Sequence, residues 1–311
     1  MQGLARIRSF MFLHSLARRS VNVARSLLTS TRSAHERAAA GAPVSEAWAS
    51  VRELTRLSPT TTGLRLEVDA DAVAFAFEPG QWVDFHIPGV DVLGGYSITS
   101  IPSDLPALDL AVKASAHPPA AWCTGSAKVG DRVAVRVGGK FVLEDADAAL
   151  FVAGGVGINP LYSMLKELCA RADGPRATLL YASRTCDELL FADELDALAR
   201  THPERLRVVL HATREAEPPT PMSAGPGVVG RASGRVDDDA LVAALHWLGC
   251  EPNAQLERRA VPWMEPKARA PGTSACAAAA AYVCGPPRMT DETVAALRRM
   301  GVPRVRSEQW W

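Results

Sequence analysis

The feature that most constrains this chain is a change of rhythm near Glu144. Before it, short runs of β-type composition, "GLRLEV", "QWVDFHI", "GYSITS", "LDLAVK" and "DRVAVRV", are separated by Pro, Gly and Asp clusters, as in an antiparallel barrel or sandwich. After it, apolar strands and amphipathic helices alternate: "ALFVAGG" and "PLYSMLKELCARA", "ATLLYASR" and "DELLFADELDALAR", "LRVVLHATR" and "DDDALVAALHWL", "AAYVCGP" and "MTDETVAALRRMG". Strands buried on both faces read as continuous apolar runs, so this half is expected to be a parallel sheet covered by helices on both sides. With 311 residues, 48% of them apolar, each half can bury a core of its own.

Two stretches stand outside that pattern. From Met1 to His35 there is no Asp or Glu, while Arg6, Arg8, Arg18, Arg19, Arg25 and Arg32 recur among serines and apolar residues. This is the composition of a mitochondrial transit peptide, and residues 1–45 are set aside from the fold; a secretory signal or a plain unfolded tail are the other readings. Between residues 248 and 280 a Pro-, Arg- and Ala-rich stretch has no periodicity and is expected to be a disordered insertion, with a partner-binding loop as the alternative. The domains are then 46–147 and 148–311.

Bulk properties exclude several classes. Lys+Arg and Asp+Glu are 34 each, so the overall charge favours neither nucleic acid nor a membrane surface. No run reaches the roughly 18 apolar residues of a membrane helix. Cys123, Cys169, Cys186, Cys250, Cys276 and Cys284 form no CxxC pair and no metal-ligand spacing, which suits a reducing compartment and predicts no bound metal.

Chemistry concentrates in three places. In "FVAGGVGINPLYSML" a strand ends at Ala153, Gly154, Gly155 and Gly157 let the backbone turn and approach a ligand, and Pro160 suits a first helical turn. Such a turn points N–H groups and a helix dipole at a pyrophosphate, although plain strand-to-helix packing uses glycines too. "YASRT" carries Ser183 and Arg184, and "YVCGPPRM" delivers Cys284, Gly285 and Pro286 to the same sheet edge. Open α/β sheets bind ligands at the carboxyl ends of their strands.

Together with "EPGQWVDFHIPG", "GYSITS" and the terminal "SEQWW", these motifs follow one another as in the ferredoxin–NADP⁺ reductase superfamily, which the chain resembles from Val51 to Trp311. The resemblance implies an antiparallel six-stranded flavin-binding β-barrel, then an α/β nicotinamide-nucleotide domain. It implies hydride transfer between NAD, or NADP, and FAD, with FMN or no flavin as alternatives. By the same resemblance Tyr96, Ser97, Ile98, Thr99, Val112, Lys113 and Trp310 would contact flavin, Tyr96 by stacking on the ring and Ser97 near N5. Glu308 would approach the flavin from the terminus. Gly154, Gly155, Val156, Gly157, Ile158, Asn159 and Pro160 would hold the dinucleotide phosphates. Ser183 and Arg184 would lie near the adenosine ribose, and Cys284, Gly285 and Pro286 would border the nicotinamide. Ser97 and Cys284 would be the catalytic pair, since the cofactors carry the hydride chemistry.

The chain departs from that family at two points. Gly94 stands where an arginine usually neutralises the flavin pyrophosphate, and "HPPAAW", with His117 and Ala120, replaces a Gly-Ser/Thr helix start. No cluster-binding cysteine pattern is present, so electrons would pass to a separate acceptor. The expectation is a monomeric mitochondrial-matrix flavoprotein reductase; the competing class is a non-catalytic NAD(H)-binding or scaffolding protein that has lost its flavin. A short-chain dehydrogenase is disfavoured, because a β-rich domain comes first and no Tyr-x-x-x-Lys pair follows the glycine turn.

Overall fold

A computed structural model describes residues 46–69, 75–215, 229–252 and 279–310. The expected targeting segment and almost all of the expected insertion lie outside the described residues.

The first domain is the expected antiparallel barrel. Its strands are β1 (Glu46–Ser58), β2 (Thr61–Val68), β3 (Trp82–His86), β4 (Gly94–Ser97), β5 (Ala107–Lys113) and β6 (Arg132–Gly138), in the order β4-β3-β6-β1-β2-β5. An antiparallel bridge between Ile98 and Leu110 joins the end of β4 to β5 and closes the sheet on itself. Alternate residues point inward, so Val51, Leu64, Leu66, Val83, Phe85, Ile98, Leu108, Leu110, Val133 and Val135 form one buried core. Helix α1 (Pro118–Gly125) plugs one end with Ala120 and Cys123.

The first strand is absent from the apolar runs visible in the sequence. β1 carries Arg52, Glu53 and Arg56, and its register shifts between Val51 and Glu53 and again between Arg56 and Ser58, which breaks the period of two. Its outward charges are matched across the ladder, as where Arg52 pairs with Glu67 at 2.7 Å.

The second domain is a six-stranded parallel sheet ordered β10-β9-β8-β7-β11-β12. Its strands are β7 (Ala148–Gly154), β8 (Arg176–Ser183), β9 (Leu206–Ala212), β10 (Val229–Ser233), β11 (Ala279–Gly285) and β12 (Arg304–Gln309). The helices are α2 (Ile158–Ala170), α3 (Ala192–Thr201), α4 (Asp238–Trp247) and α5 (Pro287–Arg299). Phe151, Leu179, Tyr181 and Tyr282 pack on the α2–α3 side, while Leu150, Val152, Leu180 and Val283 pack on the α4–α5 side. Both faces are therefore covered, as the apolar runs require. The edge strands β10 and β12 add to the four strands legible in the sequence; "RVRSEQ" is polar because its strand has a neighbour on one side only.

The chain builds β7 to β10 outward in one direction, then returns to place β11 on the other side of β7. That reversal opens a crevice between the carboxyl ends of β7 and β11, where such sheets bind ligands. Helix α2, which starts in this crevice, also ties the domains together. The Asn159 amide nitrogen donates to the Ala111 carbonyl of β5 at 2.8 Å, and the Ser163 hydroxyl donates to the Ser100 carbonyl at 2.6 Å. The Met164 methyl fills the space left by the missing side chain of Gly80.

Candidate functional site

Between the domains lies a cleft of about 1320 Å³, larger than the roughly 300–1,000 Å³ typical of a single small-ligand pocket. Its barrel wall is β4 with Lys113, Ser115, His117 and Ala120; its sheet wall is the glycine turn, the ends of β8, β9 and β11, and the first turn of α5.

On the sheet wall, β7 runs into a 3₁₀ turn, Gly155–Gly157, from which α2 begins. The three glycines have different reasons to be there. Gly155 has φ +54, and a Cβ there would meet no atom within 4 Å, so it needs the left-handed region and leaves room for a ligand. Gly154 faces the Met289 sulfur, and Gly157 lies directly against the Cys284 carbonyl. The glycine turn and the Cys284–Pro286 turn thus interlock backbone to backbone.

Arginines surround the outer part of this wall. Arg184 follows β8 and Arg214 follows β9, linked by a bond from the Arg214 N–H to the Arg184 carbonyl at 2.9 Å; Arg235 and Arg288 complete the group. Arg214 and Arg235 are not among the residues singled out from the sequence. The rule that brings Arg184 to the site, its place just past a strand's carboxyl end, identifies Arg214 equally well in "HATR". Arg235 follows β10, whose sequence carries no strand signal.

The chain terminus closes the cleft. The Trp310 N–H donates to the Gly285 carbonyl at 3.0 Å, and its indole stands over Gly95 of β4, 3.9 Å from where a Cβ would lie. Its indole N–H donates to Glu308 at 3.2 Å. Burial raises the Glu308 carboxyl to about 7, against the opposing pull of that hydrogen bond.

On the barrel wall, Ser97 is buried and lines the cleft beside Tyr96. The Tyr96 ring meets Phe85 edge-on at 5.5 Å, and its hydroxyl is buried beside the Cys123 thiol of α1. Burial, with the neighbouring Cys123 thiol, holds that phenol far above its ordinary range; burial pushes the Cys123 thiol up to about 12.

Of the residues singled out from the sequence, Tyr96, Ser97, Lys113, Trp310, Gly154, Gly155, Val156, Asn159, Ser183, Arg184 and Pro286 come together in the cleft lining. Ile98, Thr99 and Val112 do not: they are buried in the barrel, where the Ile98 N–H donates to Gln81 and the Thr99 N–H to Asp109. Gly157, Ile158 and Pro160 are packed inside the second domain. Gly285 lies against Gly154 and Met289. Cys284 is fully buried, and burial with the nearby Glu308 carboxylate raises its thiol well above the usual value, so it brings no thiolate to the cleft. The Asn159 side chain is not turned to a phosphate. Its amide donor is used by Ala111, and its buried Oδ1 has no partner, an acceptor that would repel an anion.

Among the described residues no group of His, Cys, Asp and Glu could hold a metal, and no helix is long and apolar enough to cross a membrane.

Comparison with known proteins agrees with this geometry. Residues 151–230 match the family model "Oxidoreductase NAD-binding domain". Oxidoreductase NAD-binding domain-containing protein 1 of Danio rerio is 33% identical over 280 residues, covering 84% of this chain and 92% of that protein. Methane monooxygenase component C of Methylosinus trichosporium is 36% identical over 140 residues, 43% of this chain and 40% of that one. Among solved structures, the cytochrome P450 reductase GcoB of Amycolatopsis superposes with a TM-score of 0.64 at 22% identity, covering 86% of this chain and 71% of that one. A ferredoxin NADP⁺ reductase from Neisseria gonorrhoeae with bound FAD and NADP gives 0.60 at 18% identity, covering 86% and 99%. These likenesses establish the ferredoxin reductase type of two-domain fold.

Proposed function

From the premise that the chain belongs to the oxidoreductase NAD-binding domain-containing protein 1 family, we propose that it is an NAD(P)H oxidoreductase that passes a hydride from nicotinamide to a flavin. The observation that carries this reading is the single cleft joining the interlocked glycine turns of the sheet to Tyr96, Ser97 and Trp310 of the barrel side.

Two features fit the ring end of a flavin. Tyr96 lines the cleft beside Ser97, and Gly95 leaves bare backbone beneath the Trp310 indole. Tyr96, Ser97 and Trp310 would hold the ring, and a bound flavin would supply the two-electron acceptor. The residues of this chain orient and exclude water: Trp310 covers the site, Gly155 lets the dinucleotide approach the α2 N-terminus, and the neutral Cys284 thiol backs the turn against which the nicotinamide would rest.

Arg184, Arg214 and Arg235 offer positive charge at the adenosine end, so NADPH is bound at least as well as NADH. The names of two similar proteins, a monooxygenase component and a cytochrome P450 reductase, support the reading that electrons leave for a separate acceptor. The arginine-rich, acid-free first 35 residues support delivery to the mitochondrial matrix, tested by fusing residues 1–45 to a fluorescent reporter.

The experiment for the activity is anaerobic mixing of the purified chain, supplied with FAD or FMN, with NADH or NADPH. Bleaching of the flavin band that depends on the protein supports the reading. Calorimetric binding of the dinucleotide without bleaching shows instead a nucleotide-binding protein that transfers no hydride.

A further inference from the structure

The two ends of the cleft are furnished differently for phosphate. The sheet end is lined by Arg184, Arg214, Arg235 and Arg288 against Asp238 and Glu292, beside the turn that opens α2. At the barrel end the helix that starts on the cleft is α1, and its first two residues are Pro118 and Pro119. A helix start attracts anions through its unpaired N–H groups, and proline has none, so both prolines remove donors from the first turn. The Ala121 N–H is already used by the His117 carbonyl at 2.9 Å, and the Ser115 hydroxyl already accepts the His117 N–H at 3.3 Å.

The strand beside it is equally bare. Gly94 brings no side chain, and a Cβ there would fall 2.5 Å from the Tyr96 ring, so a longer side chain requires the tyrosine to move. The charged or titratable groups lining this end are Lys113 and His117 against Asp84 and Asp91, with Asp84 already held by Arg136 at 3.1 Å. Among the described residues, a pyrophosphate here would gain Lys113 and the one remaining first-turn N–H, that of Ala120, and would meet the Asp91 carboxylate, Asp84 being held by Arg136. The ring end, where the Trp310 indole covers Gly95 beside Ser97, is not affected by any of this.

We propose that this site grips a flavin by its isoalloxazine and ribityl portion only, so that flavin is an exchangeable co-substrate: riboflavin, FMN and FAD enter alike, are reduced and leave. The inference rests on the flavin-reductase reading above and specifies its substrate class. The hydride leaves C4 of NAD(P)H with its electron pair and adds to N5 of the oxidised flavin. A proton from water completes N1, and oxidised nicotinamide and dihydroflavin are released. The separate electron acceptor is then the flavin itself, and a reaction that consumes reduced flavin must follow.

The test is a fluorescence titration of the full-length chain, stripped of flavin, with riboflavin, FMN and FAD, repeated on Pro119→Ser, which restores a backbone donor. The expected result is three dissociation constants within about tenfold of one another, with FMN and FAD, but not riboflavin, tightened by Pro119→Ser. FAD that copurifies and binds more than about 100-fold tighter than riboflavin overturns the exchangeable-substrate proposal while leaving the reductase reading in place. If no flavin binds while calorimetry still shows NADH binding, both fall.

Discussion

The carbonyl oxygen of Cys284 lies 2.2 Å from where a Cβ on Gly157 would be, so the turn after β7 and the turn after β11 are in backbone contact across the switch point of the sheet. Gly157→Ala therefore forces the two apart and is expected to cost about 1–3 kcal/mol by overpacking. Gly155→Ala meets no atom within 4 Å but must hold φ +54, costing about 1–2 kcal/mol of backbone strain. Thermal melts and nucleotide calorimetry separate them: Gly157→Ala lowers stability and nucleotide affinity together, while Gly155→Ala acts mainly on affinity.

Asn159 clasps the domains through the Ala111 carbonyl. Asn159→Ala leaves that buried carbonyl unpaired, at about 1–3 kcal/mol, and Ser163→Ala does the same to Ser100. The Asn159 variant is expected to lower the melting temperature and to increase proteolytic cleavage between the domains. An unchanged melt would show that the clasp is not part of the interface's strength.

Glu308 and His211 titrate in opposite senses. The fold prefers the protonated Glu308, raised from 4.5 to about 7, so its stabilisation is whole below pH 4.5 and is lost as pH rises through about 7. His211, lowered by burial from 6.5 to about 4, prefers to be neutral; its stabilisation is whole above pH 6.5 and is lost as pH falls toward 4. Each is worth at most about 3 kcal/mol. In denaturant titrations across that range, Glu308→Gln is expected to flatten the loss on the alkaline side and His211→Phe the loss on the acid side.

On the proposed reading, Arg184 would favour the dinucleotide that carries a 2′-phosphate. Arg184→Ala is expected to weaken NADPH by roughly tenfold and NADH little, the size of one charge-assisted contact at an exposed site. Equal affinities indifferent to the substitution, measured by calorimetry, would remove Arg184 from the adenosine end.

Most of this site was legible because its backbone demands are unusual. A turn that must touch another backbone and begin a helix needs the glycines of "AGGVG", and a strand end followed by prolines marks "CGPP". Residues whose role is set by distant neighbours were not legible. Asn159 reads as part of a phosphate loop, yet its amide is committed to a barrel strand 48 positions earlier. Cys284 is expected by resemblance to border the nicotinamide, and its side chain is buried in the core. β1 was hidden by its own charges and register shifts, and β10 and β12 by the polarity that edge strands tolerate. The consequence of Pro118 and Pro119 is visible in sequence only as a departure from a pattern; the structure shows that they open α1 on the cleft wall.

If nicotinamide and flavin meet in this cleft, the decisive measurement is single-turnover bleaching with NADH or NADPH deuterated at C4. Direct transfer predicts that protein-bound flavin bleaches more slowly with the deuterated dinucleotide, and that Trp310→Ala weakens the effect by unseating the ring. A flavin-loaded protein that binds the dinucleotide and never bleaches would contradict it.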